Sequence, residues 1–122
     1  MEPPVIFVVD DDASVRDAIR RLLLSLDISI RSFASAEEFL DDTAPGTRGC
    51  LILDMRLPGM SGTQLQRHLC KHDWKMPIVF VTAHDDNKAK EAALRLGALS
   101  YLQKPFDRKE FLASVHAAIA QC

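Results

Sequence analysis

The chain has 122 residues, 48% of them hydrophobic and 26% charged, which excludes a disordered segment and leaves room for one domain rather than two. Fifteen basic residues against 17 acidic ones give a net charge of −2, so no nucleic-acid surface is expected of these residues. The balance is uneven: residues 1–61 hold 11 acids and 6 bases (net −5), and residues 62–122 hold 6 acids and 9 bases (net +3).

The opening Met-Glu-Pro-Pro is acidic, and the first apolar run, Val5-Ile6-Phe7-Val8-Val9, is too short for a secretory leader or a membrane span. The three cysteines, Cys50, Cys70 and Cys122, are odd in number and show no C-x-x-C spacing. Reduced thiols in a cytoplasmic protein are therefore expected.

The run at 5–9 is continuous rather than alternating, as in a strand buried on both faces of a parallel sheet. It ends in Asp10-Asp11-Asp12. Val15, Ala18, Ile19, Leu22, Leu23 and Leu26 then recur at helical spacing, with Ser14 and Asp17 offering a capped start. A weaker strand is predicted over 28–33. A short helix follows, opened by Ser35 and Glu38 and closed by Thr43-Ala44-Pro45-Gly46. The third strand, Cys50-Leu51-Ile52-Leu53, ends in Asp54. Beyond the loop at 55–62, a helix carries Leu65 and Leu69.

The fourth strand, Ile78-Val79-Phe80-Val81, ends in Thr82, and an alanine-rich helix around 87–96 stops at Gly97, which accepts positive φ. The fifth strand, Ser100-Tyr101-Leu102-Gln103, ends in Lys104-Pro105. The last helix opens at Asp107, with Glu110 at capping-box spacing, and is expected to bury Phe111, Val115 and Ile119. Regular β-then-α alternation predicts a three-layer α/β domain with five helices and a five-stranded parallel sheet. The expected order is the flavodoxin-like 2-1-3-4-5.

Four of the five strands thus end in groups suited to phosphate or metal chemistry: Asp10 and Asp11, Asp54, Thr82, and Lys104. Ligands of open α/β sheets bind at those carboxyl ends. Taken singly, each residue has an ordinary role as a cap, a turn or a solvated charge, and Asp12 is read as a helix cap. Their coincidence on one rim is what points to chemistry. Clustered carboxylates repel unless a cation joins them, and hard oxygen ligands suit Mg²⁺. A carboxylate beside such a metal can attack phosphorus, with Lys104 and the Thr82 hydroxyl meeting the incoming charge.

Four segments carry a family resemblance: Phe7-Val8-Val9-Asp10-Asp11-Asp12, residues 53–62 (Leu53-Asp54-Met55-Arg56-Leu57-Pro58-Gly59-Met60-Ser61-Gly62), Val81-Thr82-Ala83 and Lys104-Pro105-Phe106. From about Val5 to Ile119 the chain resembles a response-regulator receiver domain of two-component signalling, with a CheY-like fold. The stretch 54–62 and the Lys104-Pro105-Phe106 ending look most like the nitrogen-fixation regulator class, whose output is a LuxR-type helix-turn-helix.

The resemblance implies that Asp54 is the phosphoacceptor, served by a sensor histidine kinase. It implies Asp11, Asp54 and the backbone carbonyl of Arg56 as Mg²⁺ ligands, with Asp10 acting through water. Thr82 and Lys104 would bind the phosphoryl group, Lys104-Pro105 would be a cis peptide, and Thr82 and Tyr101 would form the switch. Arg56 and His84, two residues beyond Asp54 and Thr82, would tune phosphoryl lifetime. The face spanning 87–120 would form a phospho-dependent homodimer. The domain would occupy 1–122, with a DNA-binding output domain absent from this chain. A stand-alone receiver, acting in a phosphorelay or by protein contact, remains open. The resemblance implies no enzyme beyond the chain's own phosphorylation and dephosphorylation.

Two rivals fail on loop chemistry. An aspartyl phosphohydrolase uses Asp-x-Asp, whereas Arg56 stands second after Asp54, and no cap domain is inserted. A flavin-type phosphate site would need a Ser/Thr/Gly-rich loop where three acids stand. His68 and His72, with Cys70 between them, suggest zinc but lack a third ligand. Cys50 is expected in the core, Cys122 exposed, and Trp74 is read as a packing plug.

Overall fold

The continuous apolar runs become the inner strands of a parallel sheet. A computed structural model describes residues 4–84 and 86–122. In chain order the elements are β1 (Val5–Val9), α1 (Ala13–Leu23), β2 (Ser29–Phe33), α2 (Ala36–Asp42) and β3 (Gly49–Asp54). They continue with α3 (Gly62–Lys71), β4 (Ile78–Thr82), α4 (Asn87–Arg95), β5 (Ser100–Gln103) and α5 (Arg108–Ala120). The strand order is β2-β1-β3-β4-β5, all neighbours parallel, as the alternation predicts. A single 3₁₀ turn, Leu24–Leu26, prolongs α1.

Burial on both faces explains why the inner strands do not alternate in polarity. Phe7, Val9, Leu51, Leu53 and Phe80 point to one face and pack with Phe39 of α2, Leu65 and Leu69 of α3, and Trp74. Ile6, Val8, Ile52, Val79 and Val81 point to the other, against Ile19 and Leu23 of α1 and Phe111 and Val115 of α5. Trp74 is the expected plug. Its ring stacks on Phe39 at 5.7 Å, and its Nε1 donates to the Thr47 carbonyl at 3.1 Å.

Two helix starts and one buried position refine the sequence reading. Of the two caps the sequence offers for α1, Asp12 holds the position and Ser14 does not: the Asp12 carboxylate accepts from the Ser14 N–H at 2.9 Å and the Ser14 hydroxyl at 2.6 Å. An ionised oxygen is the stronger acceptor, so the helix starts two residues earlier than a Ser14 cap would place it. Asp107 holds the cap position of α5 without a side-chain bond. Along α5 the innermost residues are Phe111, Val115 and Ala118, while Ile119 is only half-buried, because a step of seven after Phe111 keeps the stripe on one face. Ser35 caps α2 as expected, and Gly97 ends α4 at φ +105°.

Candidate functional site

Strand register sets the height of each polar group on the carboxyl rim. Val9 pairs with Leu53, so Asp10 and Asp54 follow at one level on adjacent strands. Asp54 pairs with Val81, which puts Thr82 one step beyond, and Thr82 pairs with Gln103, which puts Lys104 one step beyond that. The four predicted strand ends therefore meet on one side of the molecule.

Asp10, Asp11 and Asp54 bring one carboxylate oxygen each to within 4.8 Å of one another. Asp10 is buried at 1% exposure and Asp54 at 7%, whereas Asp11 is exposed. Lys104 answers this charge: its Nζ lies 2.7 Å from Asp10 Oδ2 and 3.7 Å from Asp54 Oδ2. Burial pushes the Asp54 carboxyl above the usual carboxylate range, and the Asp10 carboxylate adds to the rise. Lys104 works against both. Asp12 turns away to cap α1, where the Ser14 hydroxyl and then its N–H hold the carboxyl below the ordinary range. The cap reading of Asp12 stands.

Thr82 is fully buried, and its Oγ1 accepts from the His84 N–H at 3.2 Å. The Lys104 N–H donates to the Thr82 carbonyl at 2.7 Å, and the Lys104–Pro105 peptide is cis, as expected. The Arg56 N–H donates to Asp54 Oδ1 at 3.3 Å. The side chains of Arg56 and His84 stand exposed at the rim. Tyr101 is half-buried beside Phe80, with ring centroids 6.3 Å apart and its hydroxyl oxygen buried.

Among the described residues no third ligand joins His68 of α3 and His72 at its C-cap, whose rings sit 4.3 Å apart. Cys50 is buried and its thiol is pushed up to about 12, chiefly by burial. Cys122 is half-buried rather than exposed, because the end of α5 folds onto the cluster that holds Cys50.

Three supporting residues escaped the sequence reading. Arg16 of α1 donates Nη1 to the Asp10 carbonyl at 2.6 Å, fastening the acidic turn from behind. Glu37 of α2 accepts the Met60 N–H at 2.9 Å across 23 residues, tying down the loop after Asp54. Gly62 lies so close to β3 that a Cβ would collide with the Asp54 carbonyl, while its N–H donates to Met55 at 3.0 Å. Ser61 and Gln64 then close a reciprocal capping box that starts α3. Arg16 sits next to the apolar stripe of α1, the only sequence signal among the three. The Glu37 contact depends on distant elements meeting, and the Gly62 contact on the loop after β3 folding back onto its end.

The arrangement offers hard oxygen ligands, an ammonium and a buried hydroxyl around one carboxylate. Three acids against Lys104 leave negative charge to be balanced, and the donor set fits Mg²⁺. The family model described as the response regulator receiver domain matches residues 6–116. The transcriptional regulatory protein TdiR of Thauera aromatica is 44% identical over 115 residues, covering 94% of this chain and 51% of that one. The transcriptional regulatory protein FixJ of Azorhizobium caulinodans is 36% identical over 116 residues, covering 95% of this chain and 55% of that one. The solved structure of the response regulator StyR superposes with a TM-score of 0.91 at 42% identity, over 98% of this chain and 61% of that one. The chain spans about half the length of the curated relatives it matches.

Proposed function

The chain belongs to the response-regulator receiver family, and from that premise we propose that it accepts a phosphoryl group on Asp54 from the phosphohistidine of a sensor histidine kinase. The observation that carries this reading is the buried Asp54 carboxylate with Lys104 Nζ at 3.7 Å and two further carboxylates beside it. Asp11, Asp54 and the Arg56 carbonyl would hold Mg²⁺, with Asp10 acting through water. The metal supplies charge neutralisation that lets one anion approach another.

The chain's own groups do the rest. Asp54, held by the Arg56 N–H, presents Oδ to phosphorus in line with the leaving imidazole. Lys104, now bound to Asp10, pairs with the oxygens that arrive. The Thr82 hydroxyl leaves the His84 N–H and donates to the phosphoryl group. That withdrawal opens room into which Tyr101 turns further. Phosphorylation adds about −1.5 to −2 charges, and only a state that contacts them better gains population.

The face altered in this way is α4, β5 and α5, and Leu94 of α4 is already exposed at 41%. We read it as the surface of a phospho-dependent homodimer. The half-length match to transcriptional regulators supports control of transcription through a LuxR-type DNA-binding domain beyond these 122 residues. The protein acts in the cytoplasm on this reading, and it catalyses only its own phosphorylation and dephosphorylation.

Acetyl phosphate with Mg²⁺ tests the core of the proposal. Wild type is expected to gain an acid-stable, hydroxylamine-labile phosphoryl label that Asp54→Asn does not acquire. A label of equal size on both, or on neither, overturns it. In the same samples, Arg56→Ala and His84→Ala are expected to change the decay rate of the label. Decay at the wild-type rate in both removes them as gates for hydrolytic water.

A further inference from the structure

Of the three clustered acids, Asp11 alone has no hydrogen-bond partner for its side chain among the described residues, and it stands exposed. Asp10, by contrast, is held at every polar group. Its N–H donates to the Phe33 carbonyl at 3.1 Å, and its two carboxylate oxygens take the Asp12 N–H at 2.9 Å and Lys104 Nζ at 2.7 Å. The last tie, on its carbonyl, is Arg16 Nη1 at 2.6 Å. A peptide unit is planar, so fixing the Asp10 carbonyl also fixes the Asp11 N–H and the plane from which the Asp11 side chain departs. Whatever holds that carbonyl therefore aims Asp11.

Two features of Arg16 argue that this contact is not incidental. Arg16 is the fourth residue of α1, within the opening turn, where the helix dipole disfavours a positive charge. Glu38, Asp41 and Asp42 line the same hollow, and a half-buried guanidinium ordinarily pairs with a carboxylate. Yet among the described residues the one partner of its side chain is the neutral Asp10 carbonyl.

Building on the reading of Asp11 as a direct Mg²⁺ ligand, we propose that Arg16 is a positioning residue for the metal site. It holds the Asp10–Asp11 peptide so that the Asp11 carboxylate stays within reach of Asp10 and Asp54. Two effects of the side chain oppose each other. Its charge repels a second cation, whereas its hydrogen bond arranges a ligand for that cation. The charge lies partly in water, where salt screens it, and it acts alike on any divalent ion. The arrangement of ligands does not act alike. Mg²⁺ demands a near-ideal octahedron of oxygens, while Ca²⁺ accepts flexible coordination. A positioning role therefore shows as selectivity for Mg²⁺ over Ca²⁺, which neither the charge nor general stability of the fold produces.

The test is an NMR titration of the full chain with Mg²⁺ and, separately, with Ca²⁺, read on the amides of Asp11, Asp54 and Arg56. The remaining amides show in the same spectra that each variant is folded. Losing a residue that orients a metal ligand weakens binding by roughly 10–100-fold, so Arg16→Met is expected to lose about tenfold in Mg²⁺ affinity and distinctly less in Ca²⁺ affinity. A second variant, Arg16→Gln, keeps a polar side chain on α1 and should show the same split between the two ions. Unchanged or tighter Mg²⁺ binding in both variants overturns the proposal, as does an equal loss for both ions. Wild type that binds neither ion overturns the metal reading of the site together with this role of Arg16. Wild type that binds Mg²⁺ while both variants bind it equally well overturns the role alone.

Discussion

The two ends of the same strands follow opposite rules. At the amino ends of β1, β3 and β4 stand Val5, Gly49 and Ile78, with Trp74 and Met76 packed beneath them. At the carboxyl ends stand Asp10, Asp54 and Thr82, three of the five buried polar side chains among the described residues. Apolar groups at one end gain from leaving water. Carboxylates at the other lose solvation and face like charges, which Lys104 only partly offsets. One strand therefore lends its middle and amino end to stability and its last residue to chemistry. The frustrated end is held in place by the satisfied one.

Truncating the apolar part gives the largest effect. Phe80 is fully buried between β3 and β5 and packs against Tyr101, so Phe80→Ala is expected to cost about 4 kcal/mol in urea unfolding. A loss under about 1 kcal/mol would mean the sheet centre is loosely packed and would break the contrast. Next in size is Lys104→Met, which among the described residues leaves the Asp10 carboxylate with the Asp12 N–H alone as its partner at 2.9 Å. About 2 kcal/mol of stability should go, read from the same urea midpoint at neutral pH. Wild-type stability in that variant would show that the rim needs no counter-charge.

Much of this division is legible in the sequence, because it rests on local signals. Apolar runs such as Ile78-Val79-Phe80-Val81 stop abruptly at a polar residue, and parallel strands place all such stops on one rim. What sequence does not carry is contact between distant elements. Glu37 reaching Met60 and Arg16 reaching the Asp10 carbonyl each need two segments docked before the pairing exists. The double reading of the α1 start, at Asp12 and at Ser14, has a different origin. Asp12 and Ser14 are both good caps, and spacing alone does not rank a carboxylate above a hydroxyl.

The smallest expected effect is also the most discriminating, because its sign is opposite to the others. Asp54 is buried beside Asp10, and its carboxyl is held above the usual range, so the folded state binds its proton more tightly than the unfolded chain does. A group of that kind adds stability below its unfolded pKa and loses it as pH rises through the folded pKa. Asp54→Asn keeps the shape and removes the charge. Near pH 4 the variant and wild type should melt together. As pH rises toward 7 the variant should gain, by ~1 kcal/mol or a few degrees in Tm. Mg²⁺ should narrow the gap by stabilising wild type alone, since it binds the folded, charged rim. If Asp54→Asn melts lower than wild type at pH 7 without Mg²⁺, the carboxyl rim is not frustrated, and the contrast between the two strand ends fails at the residue where it should be sharpest.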